Sequence, residues 1–416
     1  MKSFGQAMRN SLPAIGLGLI ATFGAVSVAV VQAPPAMAQK ASKEFAENMN
    51  AASAAFSARQ YAQAIQKADA AAPHASGTQQ KAAVEQTRAG AYCALNNYAQ
   101  CIAAIEKARA VGGVPANVNQ NYDKQLVTAY EKTGQAGKAL TQLKANVTKY
   151  GGTADELSYI AKAELAAGRH AEAIKFAKQA IAKSSAKPVP FNILLNAYDA
   201  TGNKAEFYNT LESAAKIFKT ETYWRPFIER ARSEPQYRSN DAALDVFRAL
   251  DAAGVKLSDA DKFEWGKQAL NRGLAIEAEA VWAPLFKAGK YGGASDKSKD
   301  TNLRSYAGAQ AEAKADRGGA LKADETVAAA SPSGVQYADL GQSYVGAGDY
   351  AKAIEMFQKA LSKGAMDAGA MDLVRLRLGI AQFRANKKAD AVKTWQSIKS
   401  TNGSAWLARS WIAIAK

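Results

Sequence analysis

Few residues in this 416-residue chain have the types and spacing that catalysis or metal binding requires. It contains two histidines, His74 and His170, and two cysteines, Cys93 and Cys101. Neither histidine has a cysteine or a second histidine at ligand spacing, and the cysteine pair does not form a zinc motif. The chain also lacks a Gly-x-Ser-x-Gly elbow and a Gly-x-x-x-x-Gly-Lys-Ser/Thr phosphate loop. The sequence therefore predicts no catalytic residue, no metal site and no cofactor.

The two cysteines could instead close a disulfide in an oxidising compartment. At their spacing they would not be neighbours on one helix. The pair Asn96-Asn97 lies between them and can supply a tight turn that brings them together. A disulfide and two free buried thiols are both compatible with this pattern.

Residues 1–38 have the pattern of a secretory signal peptide. Lys2 and Arg9 make a short positive region, which an uncharged apolar stretch from Ser11 to Val31 follows. Ala36-Met37-Ala38 is a small-x-small cleavage site. We expect cleavage near Ala38 and a soluble mature protein in a bacterial periplasm or outside the cell. The alternative is an uncleaved leader, which would be the one attachment to a membrane, since about 20 apolar residues can just span a bilayer.

The chain is strongly basic, with a formal net charge of +16. A basic surface attracts acidic proteins, acidic polysaccharides, anionic lipids or nucleic acid. Lys and Arg are spread along the chain without a run of five, so we expect no nucleic-acid partner. Simple solubility is the other explanation of the charge.

An internal sequence repeat predicts the helices that position these residues. Its clearest copy reads Tyr337-x-x-Leu340-Gly341-x-x-Tyr344, then Gly348-Asp349-Tyr350, then Ala353-x-x-x-Phe357-x-x-Ala360. This spacing predicts two helices that cross closely at small residues, with a turn at Gly348 between them. Further copies share the spacing, and their turn glycines at 134, 168 and 202 recur every 34 residues. An earlier copy has Asn96 in the glycine position.

The pattern resembles the tetratricopeptide repeat almost position by position. The resemblance implies an all-α fold, a right-handed superhelical solenoid of antiparallel helix pairs. We predict N-terminal repeats over 39–290, a loop and an irregular helical pair over 291–333, and C-terminal repeats with a capping helix over 334–416. The sequence is compatible with two separate stacks of repeats and with one continuous superhelix.

In this family the first helix of each repeat lines a concave groove, and the groove binds other proteins. The resemblance therefore implies a groove formed by residues one turn away from the core stripe. The candidates are Lys124, Thr128, Lys132, Ser158, Lys162, Asn192, Asn196 and Asp199, and in the C-terminal repeats Gln342, Leu376, Ile380 and Arg384. The N-terminal group is basic and rich in amides, which suits an extended acidic peptide or a C-terminal carboxylate.

These observations predict a protein that is not an enzyme. We expect an exported scaffold or adaptor that mediates protein–protein interaction in the cell envelope. The alternative is a module that binds acidic polysaccharide or cell wall. The basic charge of the chain is the reason for this alternative. A polar face without a dedicated ligand is also compatible with the sequence, because a fold does not determine a function.

Overall fold

The computed structural model describes residues 41–233, 240–291, 297–401 and 403–416. The predicted leader lies outside these ranges. Within them the chain is helical with no β-strand, and consecutive helices pack as hairpins. The predicted all-α fold of antiparallel helix pairs is confirmed.

The chain divides into two compact units, the first ending at Gly202 and the second beginning at Asn203. The helices of unit 1 are α1 (Lys43–Ser57), α2 (Tyr61–Ala71), α3 (Gly77–Ala94), α4 (Tyr98–Val111), α5 (Ala116–Lys132), α6 (Ala136–Tyr150), α7 (Ala154–Ala166), α8 (His170–Lys183) and α9 (Val189–Ala200). They form the hairpins α1–α2, α3–α4, α5–α6 and α7–α8, and α9 packs on α7 and α8.

The helices of unit 2 are α10 (Lys204–Phe218), α11 (Glu221–Glu229), α12 (Asn240–Ala252), α13 (Asp259–Leu270), α14 (Ala275–Lys287), α15 (Lys297–Ala315), α16 (Leu321–Ala330), α17 (Val335–Gly346), α18 (Tyr350–Lys363), α19 (Ala368–Arg384), α20 (Lys388–Gln396) and α21 (Gly403–Ala415). A π-helical turn, Asp316–Ala320, joins α15 to α16. The domain boundaries expected near 290 and 334 stay a prediction.

A residue with positive φ lies in the turn of several hairpins, where the chain reverses from the first helix to the second. Gly134, Gly168 and Gly348 have φ values of 74°, 72° and 76°. Asn96, expected in the glycine position, has φ 58°. A side chain is strained in this left-handed region whereas glycine is not, which explains why the turn glycines keep their register.

A glycine packed against an aromatic ring recurs in three hairpins of unit 2. A Cβ added at Gly266 would lie 2.3 Å from Trp282 Nε1, and one at Gly379 would lie 2.2 Å from Trp395 Nε1. Gly341 meets Phe357 in the same way, at 2.7 Å. The two helices of each hairpin therefore cross more closely than any larger residue allows.

The C-terminal helix α21 makes contacts at both ends of unit 2. It packs on α19 and α20, and it also packs on α10, α11 and α12. The indole N–H of Trp406 donates to the carbonyl oxygen of Phe227 at 2.7 Å. The guanidinium of Arg409 donates to Asn209 Oδ1 at 2.8 Å and pairs with Glu212. The first and last helices of unit 2 are thus joined, and the unit closes on itself.

Candidate binding surfaces

The predicted groove residues of unit 1 lie on α5 and α7, which are the first helices of two hairpins, and on α9. Lys124, Lys132 and Asp199 are exposed, and the other five are half-buried: Thr128, Ser158, Lys162, Asn192 and Asn196. The helices α7 and α9, which carry Ser158, Lys162, Asn192 and Asn196, pack directly on each other. We call this set of eight side chains the inner face of unit 1.

Two side chains of the inner face use donor hydrogens within their own helices. Ser158 Oγ donates to Ala154 O at 2.6 Å, and Asn196 Nδ2 donates to Asn192 O at 2.8 Å. The amide oxygen of Asn196 is left as an acceptor. The inner face therefore combines exposed ammonium groups with hydroxyl and amide groups that the helices orient.

Sequence reasoning missed two residues beside the inner face, Glu131 and Tyr159. Burial raises the pKa of Glu131, whose Oε1 is buried without a hydrogen-bond partner. Burial, and then the nearby Glu131 carboxylate, raise the pKa of Tyr159. The coupling joins a residue at the end of α5 to one of α7. No spacing in the sequence indicated it, because both residues lie outside the core stripe of their helices.

The expectation of exposed groove residues is wrong for three positions of unit 2. Gln342, Leu376 and Ile380 are only 4%, 0% and 1% exposed. The prediction assumed an open stack, in which the side of each first helix away from the core faces solvent. Unit 2 is closed, so other helices of the same unit cover this side.

Two ion pairs lie on the same face of α19 as Ile380. Arg377 Nε lies 3.0 Å from Asp245 Oδ2, and Arg384 Nη2 lies 2.9 Å from Asp251 Oδ2. Residues 377, 380 and 384 share one helical face. Both aspartates belong to α12, so the pairs join this face of α19 to α12, and α21 packs on both helices. Arg384, predicted to line the groove, is exposed but pairs with Asp251.

A buried network of charges lies behind these pairs. Arg248 donates from Nη1 to Asp245 Oδ1 at 2.9 Å and from Nε to Glu277 Oε1 at 2.9 Å. The indole N–H of Trp265 donates to the same Glu277 oxygen at 3.0 Å. Burial alone would lower the pKa of Arg248, but the two carboxylates raise it above its ordinary value. Each charge has its partner, so removing any one of them would leave an uncompensated charge inside the unit.

In unit 1, the buried carboxylate of Asp123 joins three helices. Arg109 Nη2 of α4 donates to Oδ1 at 2.7 Å, and Tyr150 Oη of α6 donates to Oδ2 at 2.7 Å. Gln142 Nε2 donates to Oδ1 at 3.0 Å. Burial alone would raise the pKa of Asp123, but the hydrogen bonds from Tyr150 and Arg109 outweigh it and lower that pKa. The carboxylate is ionised at neutral pH.

An open cleft of about 540 Å³ lies beside this carboxylate. It is lined by Arg109, Val114, Ala116, Asn119, Asp123, Lys149 and Tyr150. The cationic groups of Arg109 and Lys149 lie 2.7 and 3.6 Å from Asp123. The chain's own carboxylate therefore takes the position that an anionic ligand would need, and we assign no ligand to the cleft.

A second buried acid, Glu164, takes the repeat position that Tyr130 and Tyr198 take in the adjacent copies. It is 0% exposed and pairs with Lys144 of α6 and with Arg169 in the turn before α8. Hydrogen bonding by Arg169, opposed by burial and assisted by Lys144, lowers the pKa of Glu164. An acid with two cationic partners therefore takes the place of the tyrosine that the adjacent copies have.

Cys93 and Cys101 form a disulfide between the end of α3 and the start of α4. The turn between them contains Asn96 with its positive φ, as the spacing suggested. Of the two alternatives that the sequence left open, the structure contains the bonded pair.

Within the described ranges, no group of three or more His, Cys, Asp or Glu side chains could hold a metal ion. No helix among the same residues is long and apolar enough to cross a membrane.

No known family model and no curated protein sequence matches this chain. Solved structures do resemble it. A tetratricopeptide repeat protein from Parabacteroides merdae aligns over 82% of this chain and 100% of its own, at 11% identity and a TM-score of 0.31. The C-terminal part of a TPR repeat-containing protein from Cytophaga hutchinsonii aligns over 78% and 98%, at 15% identity and a TM-score of 0.29. The TPR2AB domain of yeast Sti1, in its complex with pHSP90, aligns over 89% and 98%, at 13% identity and a TM-score of 0.21.

The fold of this chain is given by its own features. Its helices pair as hairpins, and residues in the left-handed conformation form the turns. The turn glycines 134, 168 and 202 recur at the tetratricopeptide period of 34 residues. The chain is a helical-repeat protein with a tetratricopeptide-like fold.

Proposed function

We propose that this protein is an exported binding scaffold whose inner face in unit 1 holds an extended acidic segment of another protein. The observation that carries the proposal is the accessibility of the inner face. Its eight side chains are exposed or half-buried. The corresponding residues Gln342, Leu376 and Ile380 of unit 2 are buried. Partner binding is therefore assigned to unit 1.

The chemistry of the inner face suits such a segment. Lys124, Lys132 and Lys162 supply positive charge for acidic side chains. The amides of Asn192 and Asn196 can hydrogen-bond to a peptide backbone, which presents both donors and acceptors along its length. Because stacked hairpins hold these groups on rigid helices, binding would need little ordering of the scaffold.

The disulfide supports the exported location. Disulfides persist in oxidising compartments such as the bacterial periplasm and are rare in the cytosol. The sequence pattern of residues 1–38 agrees with export, and we propose the periplasm or the cell exterior as the site of action.

A binding experiment with a defined probe tests this function. A fluorescein-labelled Glu-rich peptide is titrated with the purified protein, and the same protein is used to capture partners from envelope extract by crosslinking. The test variant is Lys124→Glu, Lys132→Glu, Lys162→Glu. The control is Lys314→Glu, Lys322→Glu, Lys393→Glu, which reverses three exposed lysines of unit 2 and changes net charge equally.

We expect the test variant to lose peptide binding and partner capture while the control retains both. Equal binding by both variants would show that the inner face does not bind the partner. Equal loss by both would show attraction to net charge alone, which would also contradict the proposal.

A further inference from the structure

The second helices α6 and α8 of unit 1 carry a basic surface that the proposed function does not use. Its exposed lysines, here called the outer lysine face, are Lys138, Lys149, Lys175, Lys178 and Lys183. Glu172 is the one acidic residue in α6 and α8, and it is half-buried beside Lys175. The other exposed residues of these two helices are Gly, Ala, Thr and Gln.

Four of these ammonium groups lie over aromatic rings. Lys149 Nζ is 4.9 Å from the ring centroid of Tyr150, and Lys175 Nζ is 5.3 Å from that of Phe176. Lys138 and Lys178 lie 5.6 and 5.9 Å from the rings of Tyr130 and Tyr198. The rings attract the cations, so these four charges have a preferred position before any partner arrives.

The chemistry of this face indicates what kind of partner it fits. Phe176 and Tyr198 are only 6% and 3% exposed, and Tyr130 and Tyr150 are half-buried with lysines over them. Sugars and nucleic-acid bases are bound by stacking on open aromatic faces, which this surface does not offer. It offers a high density of positive charge among small side chains. An anionic bilayer is recognised by charge density alone and requires no fixed hydrogen-bond geometry.

We infer that the outer lysine face binds the surface of a membrane that contains anionic phospholipid. The attraction is electrostatic and peripheral, because no large apolar side chain is exposed among the lysines of α6 and α8. Each lysine near an anionic bilayer strengthens binding by about fivefold. The inference is independent of the inner face, which lies on α5, α7 and α9, so the two surfaces can be tested separately.

The experiment is cosedimentation of the full chain with vesicles. One set contains phosphatidylglycerol and phosphatidylcholine, and the other contains phosphatidylcholine alone. The test variant is Lys138→Gln, Lys175→Gln, Lys178→Gln. The matched control is Lys314→Gln, Lys322→Gln, Lys393→Gln, with the same change of net charge. Circular dichroism confirms that both remain helical.

We expect binding to the anionic vesicles only, about a hundredfold weaker for the test variant and nearly unchanged for the control. Raising the salt concentration should release the protein, because exposed charges are screened over about 10 Å at 0.1 M salt. The inner-face variant Lys124→Glu, Lys132→Glu, Lys162→Glu should still bind vesicles.

Three results would overturn the inference. The first is equal binding to neutral vesicles, and the second is equal loss of binding in test and control variants. The third is binding to an acidic polysaccharide such as polygalacturonate, sensitive to the outer lysines, without binding to vesicles. The third would assign the face to a glycan partner.

Discussion

Arg377 of α19 donates its Nε hydrogen to Asp245 Oδ2 of α12 at 3.0 Å, although 132 residues separate them along the chain. In an open stack each hairpin contacts only its neighbours, and such a pair would not form. Both side chains are buried. The pair therefore joins two distant helices inside unit 2, as the contacts of α21 with α10 join its last and first helices.

Removing one partner of this buried pair should be costly. We expect Arg377→Ala to destabilise the protein by about 3 kcal/mol, because Asp245 would keep a buried charge with one fewer partner. Urea denaturation followed by circular dichroism measures this. Arg375→Ala is the matched control on the same helix, since Arg375 is partly exposed and pairs locally with Asp372. It should cost about 1 kcal/mol or less. Equal costs would show that the long-range pair does not stabilise closure.

Two glycines within helices of unit 2 should respond to alanine in opposite directions. Gly379→Ala should destabilise by about 1–3 kcal/mol, because its methyl group would overlap the ring of Trp395. Gly308→Ala meets nothing within 4 Å in the interior of α15 and should stabilise by about 0.5–1 kcal/mol. Thermal melts of both variants measure the difference. Stabilisation by Gly379→Ala would contradict the close helix crossing.

The stability of unit 1 should fall in acid because two buried acids have lowered pKa values. Asp123 and Glu164 contribute stability above their unfolded pKa values, about 3.9 and 4.3. That contribution is lost as pH falls through the lower pKa values of the folded state. We expect Asp123→Asn and Glu164→Gln to be less stable at pH 7 and to lose less on acidification. Denaturation midpoints measured from pH 7 to pH 3 test this, and parallel curves for variants and parent would contradict it.

Reduction of the disulfide should destabilise the α3–α4 hairpin. The bond between Cys93 and Cys101 closes a short loop with a sequence separation of 8. Chain entropy gives a cost of about 2.5 kcal/mol for its loss. The measurement compares urea midpoints of the parent with and without reductant. The variant Cys93→Ser, Cys101→Ser should be insensitive to reductant, and a reductant effect on it would point to another cause.

The hairpins could be predicted from sequence because their determinants are local. A turn residue such as Gly134 and a core residue such as Tyr130 lie within a few positions of each other, so their spacing encodes one hairpin. The turn between Cys93 and Cys101 was predicted on the same basis. These features require no knowledge of which distant helices meet.

The closure of unit 2 and the two buried acids of unit 1 could not be predicted in this way. Asp245 has a partner three residues on in its own helix, Arg248, and nothing in the sequence indicates that it also pairs with Arg377 of α19. Asp123 and Glu164 are acids within a core stripe, and their cations come from other helices or turns. Which distant residues pair depends on how the hairpins stack. The stacking cannot be derived from a single sequence.

The closure of unit 2 also bears on how this protein can change over evolutionary time. An open array can gain or lose a hairpin by duplication or deletion, because only nearest-neighbour interfaces are remade. In unit 2 an added hairpin would separate Trp406 from Phe227 and Arg377 from Asp245. The closed geometry therefore fixes the number of hairpins in unit 2. We expect related chains to differ in length in the connections between helices.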